Sequence, residues 1–351
     1  MTRIVNNCVA LVCLCLFWGQ SLRAADASHS EQIKWGNESV FNEEHNTLGL
    51  FSGVLGGQIV LAGGTSDDYS RWGRNAVCLS ENAGFALYED VLSKPLAYGA
   101  SITLSDGILC IGGRDSSQCY EDVFFVTMQQ GKLNVSEDWP PLPFPLSNAA
   151  GALLDNKVYL FGGRKSVSPS RLSDSFFVLD LSNKSRGWKE LPGYPGCVRE
   201  DAILVVQNNG VSPCLYLLGG QTETEEGLSS CLTDGYVYNP QLGKWSSLGS
   251  DFPKGICAAV ASGANHILLF QKEPEDTQHL KKENALWKYH TITQTLVKSE
   301  CIPGTYDTMQ VLQRNRSLYS VAMPVPERID CTAFKGILFL WKRGWDLSIS
   351  L

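Results

Sequence analysis

The sequence predicts an all-β protein, a single-domain β-propeller of six four-stranded blades. Two observations support this prediction. A motif that ends in a pair of glycines recurs at intervals of about fifty residues, and short segments with apolar residues at every second position fill those intervals. Beyond the first residues the sequence contains hardly any amphipathic helical pattern, so folds of alternating strands and helices are excluded.

Four segments of the repeat are near copies of one another, each an apolar strand that ends on two glycines. They are Gln58–Gly64, Gly107–Gly113, Lys157–Gly163 and Cys214–Gly220. Two weaker copies follow, with Phe270-Gln271 and Ala322-Met323 in the place of the glycine pair. Because the intervals stay near fifty residues, we count six units. Glycine at the end of an inner strand indicates a turn with positive φ and a close approach of backbones.

Further features of each unit complete a blade. A strand of small residues precedes the glycines, as in Ala149–Leu154, and an aromatic alternating strand follows them, as in Ser175–Asp180. Trp139, Trp188 and Trp245 follow the first glycine of their units by 27, 26 and 26 residues. This fixed offset predicts packing between neighbouring blades. Ring closure needs strands from both chain ends, and the candidates are Gln32–Trp35 and Gly336–Trp341, whose blade assignment stays open.

Composition and the first residues suggest an exported protein. The 351 residues carry a net charge of -7 with both signs intermixed, which gives no basic stripe for nucleic acid. Residues 8–18 are uncharged and too short to span a bilayer comfortably, and small residues follow near Ala25 and Ala27. We therefore expect residues 1–27 to be a signal peptide and residues 28–351 a periplasmic or secreted domain without a membrane span; a buried helix or an uncleaved anchor is the alternative.

Twelve cysteines are present, nine of them after the signal segment. Cys110 and Cys119 bracket one glycine pair, and Cys214 and Cys231 bracket another, so each couple could face across a hairpin as a disulfide. Buried free thiols are the alternative. The spacing contains no zinc-ligand pattern, and we predict neither a metal nor a cofactor.

Several longer strings carry a more specific resemblance than the glycine pairs, which occur throughout Kelch-type propellers. They are Leu96–Ser101, Ile111–Ser116, Cys119–Phe124, Leu142–Ala152, Leu179–Ser182, Trp188–Pro192 and Lys288–Thr293. Together they resemble the cyclically permuted mutarotase family of N-acetylneuraminate epimerases, across roughly residues 50–330. The resemblance implies a Kelch-type propeller that acts as an isomerase on the anomers of free sialic acid. It also implies a carboxylate that moves protons and an arginine that binds the sugar carboxylate.

The last unit departs from this family pattern. The family's final blade carries a Gly-Glu pair and then an arginine, with the glutamate as acid and base, whereas Met323 or Pro324 stands at that place here. Glu327 and Arg328 follow closely and are the candidate catalytic replacements. A solvated charge pair on a loop is the alternative.

Two arginines are candidate substrate-binding residues. Arg114 and Arg164 directly follow their glycine pairs, near loops that line the axial mouth of a propeller. We expect them to bind the carboxylate of a sugar acid such as sialic acid, and a salt bridge between blades is the alternative.

Two other functions compete with the isomerase. The eroded fifth and sixth units favour a non-catalytic propeller that binds a glycan or a partner protein. A copper radical oxidase would need a Tyr/His/Cys ligand arrangement that the sequence does not display.

Overall fold

The computed structural model describes residues 36–39, 48–66, 68–80, 84–272, 285–301, 306–314, 317–324 and 338–341. The chain divides into two compact units, residues 1–34 and Trp35–Leu351. The predicted signal peptide, residues 1–27, lies outside the described residues. No helix among the described residues is long and apolar enough to cross a membrane.

Five four-stranded antiparallel sheets follow one another along the second unit, and each is a blade made of consecutive strands. One further strand precedes them, β1 (Gly36–Ser39). Blade 1 contains β2 (Phe51–Leu55), β3 (Gln58–Ala62), β4 (Ala76–Ser80) and β5 (Gly84–Tyr88). Blade 2 contains β6 (Ala100–Thr103), β7 (Ile108–Ile111), β8 (Val123–Gln129) and β9 (Lys132–Ser136).

Blades 3 and 4 each carry an additional two-stranded hairpin after the glycine pair. Blade 3 contains β10 (Ala150–Leu154), β11 (Lys157–Phe161), β14 (Phe176–Asp180) and β15 (Lys189–Glu190), with the hairpin β12 (Arg164–Ser166) and β13 (Arg171–Leu172) and a 3-10 helix at Leu181–Arg186. Blade 4 contains β16 (Ile203–Asn208), β17 (Pro213–Leu218), β20 (Gly235–Asn239) and β21 (Lys244–Gly249), with the hairpin β18 (Gln221–Glu223) and β19 (Ser229–Cys231). Blade 5 contains β22 (Ile256–Ser262), β23 (His266–Gln271), β24 (Ala285–His290) and β25 (Thr295–Cys301).

A further four-stranded sheet, called the terminal sheet below, combines strands from both ends of the second unit. Its order is β1, β28 (Leu338–Trp341), β27 (Ser317–Pro324) and β26 (Tyr306–Arg314). The predicted strand Gly336–Trp341 contains β28, whose partner near the amino end is β1, because Gly36 pairs with Trp341. The predicted Gln32–Trp35 lies outside the described residues. The prediction of an all-β Kelch-like propeller is confirmed. The structure shows five blades made of consecutive strands, not the predicted six.

The glycine pairs form the junctions between blades. In three of the pairs the second glycine donates its N–H to a carbonyl just before the next blade: Gly64 to Leu96 at 2.9 Å, Gly113 to Leu146 at 2.8 Å and Gly163 to Arg199 at 2.9 Å. Gly112 has a φ of 62°, and a Cβ there would lie 2.2 Å from the Leu146 oxygen. The predicted positive φ and close approach are thus confirmed. In blade 5, β23 runs through Phe270 to Gln271 without such a turn.

The tryptophans pack between blades as predicted. Trp188, at the end of blade 3, donates its indole N–H to the carbonyl of Pro140, in the segment after blade 2, at 3.1 Å. Trp245 of blade 4 lies with its ring 5.0 Å from Phe176 and 5.9 Å from Phe161, both in blade 3. Aromatic area is buried at these junctions, which adds stability beyond that of each separate sheet.

The two suggested disulfides are not formed. Cys110, Cys119, Cys214 and Cys231 are all free thiols. Cys214 pairs across the sheet with Gln207 at the start of β17, while Cys231 pairs with Gln221 beyond the other end of that strand. A disulfide needs Cα atoms within about 7 Å. The hairpin registers separate Cys214 from Cys231. The alternative of free thiols is therefore confirmed. Burial raises the pKa of Cys110 and Cys214.

Candidate functional site

One backbone position recurs where each innermost strand begins. Gly49, Tyr98, Asn148 and Asp201 all have left-handed φ values, between 52° and 63°. Their backbones form a relay in which Tyr98 N–H donates to the Gly49 carbonyl at 2.7 Å, Asn148 to Tyr98 at 2.7 Å and Asp201 to Asn148 at 3.0 Å. We call these four residues the axial relay. Because neighbouring innermost strands β2, β6, β10 and β16 contact one another, the relay follows the inner edge of four blades.

A polar recess of about 320 Å³ opens beside the axial relay. Its walls are formed by side chains of the relay, of the residues that follow the glycine pairs, and of the blade 3 hairpin. They are Tyr69, Tyr98, Arg114, Asn148, Arg164, Val167, Glu200, Asp201 and Gln221. Arg114 and Arg164, which we predicted to lie near the axial mouth, are thus brought together. Each is fixed by backbone pairing with a residue just before its innermost strand, Ala97 and Ser147 respectively.

Arg164 is held in an ion-pair network. Its Nε donates to Glu200 Oε2 at 2.8 Å, and its Nη2 donates both to Glu200 Oε1 and, at 3.1 Å, to Glu223 Oε1. Ser170 from the blade 3 hairpin also contacts Arg164 and Glu223. The hydrogen bonds that Arg164 donates to Glu200 raise the pKa of Arg164 further above its usual range. Arg164 thus forms the salt bridge that the sequence analysis gave as the alternative role of this residue. A contact between Arg164 and a substrate stays a prediction.

Arg114 differs from Arg164 because no carboxylate lies within ion-pair distance among the residues described. Its guanidinium carbon lies 4.7 Å from the centre of the Tyr98 ring and 5.2 Å from that of Trp72. Its Nη1 donates to the Asp115 carbonyl at 3.4 Å. Stacking on two aromatic faces orients the planar group and leaves most of its N–H donors for a ligand.

Asp201 places a carboxylate in the same recess. Its Oδ1 accepts the side-chain N–H of Asn148 at 2.8 Å, and its Oδ2 accepts that of Gln221 at 2.7 Å. The carboxylate is open to the recess but surrounded by protein. Desolvation is the main cause that raises its pKa, and the neighbouring charge of Glu200 adds to it, against the two amide hydrogen bonds.

The sequence analysis missed Asp201 and the other polar members of the axial relay. A signal was present only for Tyr98 and Asn148, which stand within or directly before the small-residue strands of their units, whereas large apolar residues follow Asp201. Glu327 and Arg328, the predicted catalytic residues, lie outside the described residues and stay a prediction. Met323 and Pro324 lie in β27, paired with Thr308 and Tyr306 of β26.

A second cavity, of about 240 Å³, lies between blades 1 and 2. Most of its wall is apolar packing, including Leu92, Phe124 and Trp139. Lys94 and Asp122 face each other there at 3.0 Å and neutralise one another. Among the described residues, no three His, Cys, Asp or Glu side chains are grouped to hold a metal ion. The axial recess therefore remains the candidate site.

Blades, glycine junctions and a polar axial recess define a Kelch-like β-propeller. Residues 139–273 match the family model described as N-acetylneuraminate epimerase. A Yersinia pestis protein with that name is 30% identical over 139 residues, which is 38% of this chain and 33% of the relative. A Haemophilus influenzae protein of the same name is 31% identical over 131 residues, 37% of this chain and 32% of the relative.

A Vibrio cholerae Kelch domain-containing protein is 30% identical over 141 residues, 39% of this chain and 36% of the relative. The chain thus spans about a third of the length of the curated relatives it matches. The resemblance to N-acetylneuraminate epimerases that the sequence motifs predicted is confirmed over this part of the chain. The matched residues include blade 3, blade 4 and most of the polar wall of the recess.

Proposed function

We propose that this chain binds a sugar acid of the sialic acid class in the axial recess and interconverts its anomers. The observation that carries the proposal is Arg114, a stacked guanidinium in the recess without a carboxylate partner among the described residues. Similarity to proteins named N-acetylneuraminate epimerase over residues 139–273 supports the choice of substrate.

The recess suits one acidic sugar. Its volume of about 320 Å³ is at the lower end of small-molecule pockets, which fits a ligand of monosaccharide size. Arg114 can bind the sugar carboxylate through two parallel N–H donors. Tyr69 and Gln221 line the same space and can donate to or accept from hydroxyl groups.

Anomer exchange needs only proton transfers. A base takes the proton of the anomeric hydroxyl, the bond between the anomeric carbon and the ring oxygen breaks, and the ring oxygen receives a proton. The open-chain carbonyl then turns, and the ring recloses on its other face by the reverse steps. This chemistry requires neither a metal nor a redox cofactor, and a carboxyl group is suited to it.

Arg114→Gln tests the binding part of the proposal. Hydrogen bonds to charged groups contribute about 1.5–3 kcal/mol, so we expect the affinity for N-acetylneuraminate in titration calorimetry to fall roughly 10- to 100-fold. Arg186→Gln is the matched control, since Arg186 is exposed on the 3-10 helix of blade 3. Equal affinity of wild type and Arg114→Gln would rule out this carboxylate site.

Proton NMR of anomer exchange distinguishes catalysis from binding. We expect micromolar protein to accelerate the equilibration of freshly dissolved N-acetylneuraminate. Binding in calorimetry without any acceleration would instead favour the second candidate, a non-catalytic propeller that holds a glycan or partner protein. Glu327→Gln belongs in the same experiment, because full activity of that variant removes Glu327 as the acid and base.

We also propose that the terminal sheet closes the ring as a sixth blade. Contacts of β26 with β22 of blade 5 and with β2 of blade 1 support this arrangement. Export through residues 1–27 is part of the same proposal and would deliver the mature protein to the periplasm or the medium. Amino-terminal sequencing of the mature protein tests it, with a first residue at 26 or 28 expected.

A further inference from the structure

The axial relay is strained where the recess lies. Nine described residues other than glycine have a positive φ, and four of them, Tyr69, Tyr98, Asn148 and Asp201, line this one recess. Left-handed backbone costs an ordinary residue about 1–2 kcal/mol, and such residues cluster at functional sites. Blade 1 has glycine at the equivalent position, Gly49. Asparagine and aspartate tolerate this conformation better than other residues with a side chain, so Asn148 and Asp201 are less strained than Tyr69 and Tyr98.

The surroundings of Asp201 single it out from the other carboxylates of the recess. Glu200 and Glu223 both form ion pairs with Arg164. Asp201 has no cation within ion-pair distance in the described part, and only neutral amides hold its two oxygens. Each oxygen keeps a further lone pair for a ligand. Arg114, stacked against Tyr98 of the same relay, lies in the wall of the same recess.

We infer that Asp201 is the proton-transferring catalytic residue of the recess. The inference rests on the proposed anomer exchange. With the sugar carboxylate on Arg114, the ionised Asp201 takes the proton of the anomeric hydroxyl, the ring C–O bond breaks, and a carbonyl forms. The resulting carboxylic acid gives that proton to the ring oxygen. Reclosure on the other carbonyl face reverses these steps and restores the carboxylate, so no co-reactant is consumed.

The surroundings of Asp201 raise its pKa, which suits a residue that accepts and returns a proton. Desolvation and the charge of Glu200 raise the pKa of Asp201, Arg164 lowers it, and Tyr98 of blade 2 is close enough to interact with it electrostatically. Arg114 and Glu223 complete the charged groups of the recess and its rim. A carboxyl with a raised pKa accepts and returns a proton more readily at neutral pH than an ordinary aspartate.

Asp201→Asn tests the inference. We expect the rate of anomer exchange to fall about 10²- to 10⁴-fold, while calorimetric binding of N-acetylneuraminate is retained. Asp155→Asn is the matched control, because Asp155 also has a left-handed φ, of 50°, but lies in the turn at the far end of β10. Asp201→Gly provides a second variant, because glycine adopts this φ without steric cost; an unfolding midpoint equal to that of wild type excludes misfolding as the reason for its expected inactivity.

The outcomes separate this inference from the proposed function. Acceleration by both wild type and Asp201→Asn overturns the role of Asp201 and leaves the function standing. Loss of binding together with the rate makes Asp201 a binding group and also overturns the inference. No acceleration by wild type overturns both.

A pH profile provides a readout that a merely structural role would not change. Gln221→Met removes one hydrogen-bond donor to the carboxylate, which raises the pKa of Asp201. Since the ionised form starts the reaction, activity rises with pH through this pKa, and we expect the rising limb to move to higher pH in the variant. An unchanged limb would contradict the inference.

Discussion

Replacing Arg199 with alanine is expected to lower the free energy of unfolding by about 3–5 kcal/mol, as breaking a buried ion pair generally does. Arg199 is fully buried beside the junction of blades 3 and 4. Its two terminal nitrogens each donate to one oxygen of Asp234 at 2.8 Å, and one of them also reaches the Gly219 carbonyl at 2.8 Å. Alanine would remove both guanidinium donors from that carboxylate and the Arg199 donor from that carbonyl.

The control for this variant is an ion pair at the surface. Arg74 contacts Asp90, and both side chains are well exposed. Because exposed pairs contribute at most about 1 kcal/mol, Arg74→Ala should change urea unfolding, followed by tryptophan fluorescence, much less than Arg199→Ala. The double variant with Asp234→Ala should cost less than the sum of the single changes. Similar small losses for Arg199→Ala and Arg74→Ala would show that the buried pair does not hold the junction.

The stabilisation by this pair depends on pH. Burial raises the pKa of Asp234, but the hydrogen bonds and the charge of Arg199 outweigh it and hold that pKa below its ordinary value. A lowered folded-state pKa gives stability that is fully present above the unfolded-state value of about 3.9 and is lost as pH falls through the folded value. The difference between wild type and Arg199→Ala should therefore be constant above about pH 5 and shrink in acid.

Gly112→Ala is expected to lower the free energy of unfolding by about 2–5 kcal/mol, the sum of left-handed strain and overpacking. The new Cβ would lie 2.2 Å from the Leu146 oxygen, a backbone atom that cannot rotate away. That oxygen also accepts the N–H of Gly113 at 2.8 Å, so any shift weakens the bond between blades 2 and 3.

Gly243→Ala separates the two causes. Gly243 has the same φ as Gly112, 62°, but nothing lies within 4 Å of its added Cβ. Strain alone should cost about 1–2 kcal/mol there. Thermal and urea unfolding of both variants would measure the difference, and equal losses would mean that close approach contributes nothing.

The sequence predicted the parts of the fold that repeat. The glycine pairs and the tryptophans recur at fixed offsets because every junction has the same close backbone contact and the same aromatic packing. The sequence analysis did not predict β1, since Gly36–Ser39 is a polar segment that carries no alternating apolar pattern. Its assignment depends on pairing with a strand about 300 residues away.

The site was predicted only in part, because single residues at a shared backbone position differ from blade to blade. Arg114 and Arg164 were found from the motif that they follow, yet their roles differ through Glu200, a partner the motif does not reveal. Nothing in the sequence distinguishes Arg199 from an ordinary surface arginine. Asp201 belongs to a set whose members are glycine, tyrosine, asparagine and aspartate, so only their common φ relates them.

The pairing of β1 with β28 also sets the order in which the sheets can form while the chain is being synthesised. Each of the five blades consists of consecutive residues and can form as soon as its own segment has left the ribosome. Residues 36–39 emerge early but pair with residues 338–341, so at about 5–20 residues per second they wait roughly 15–60 s for their neighbour. During that interval the edge of the nascent protein has open backbone groups, and the terminal sheet is the last to assemble.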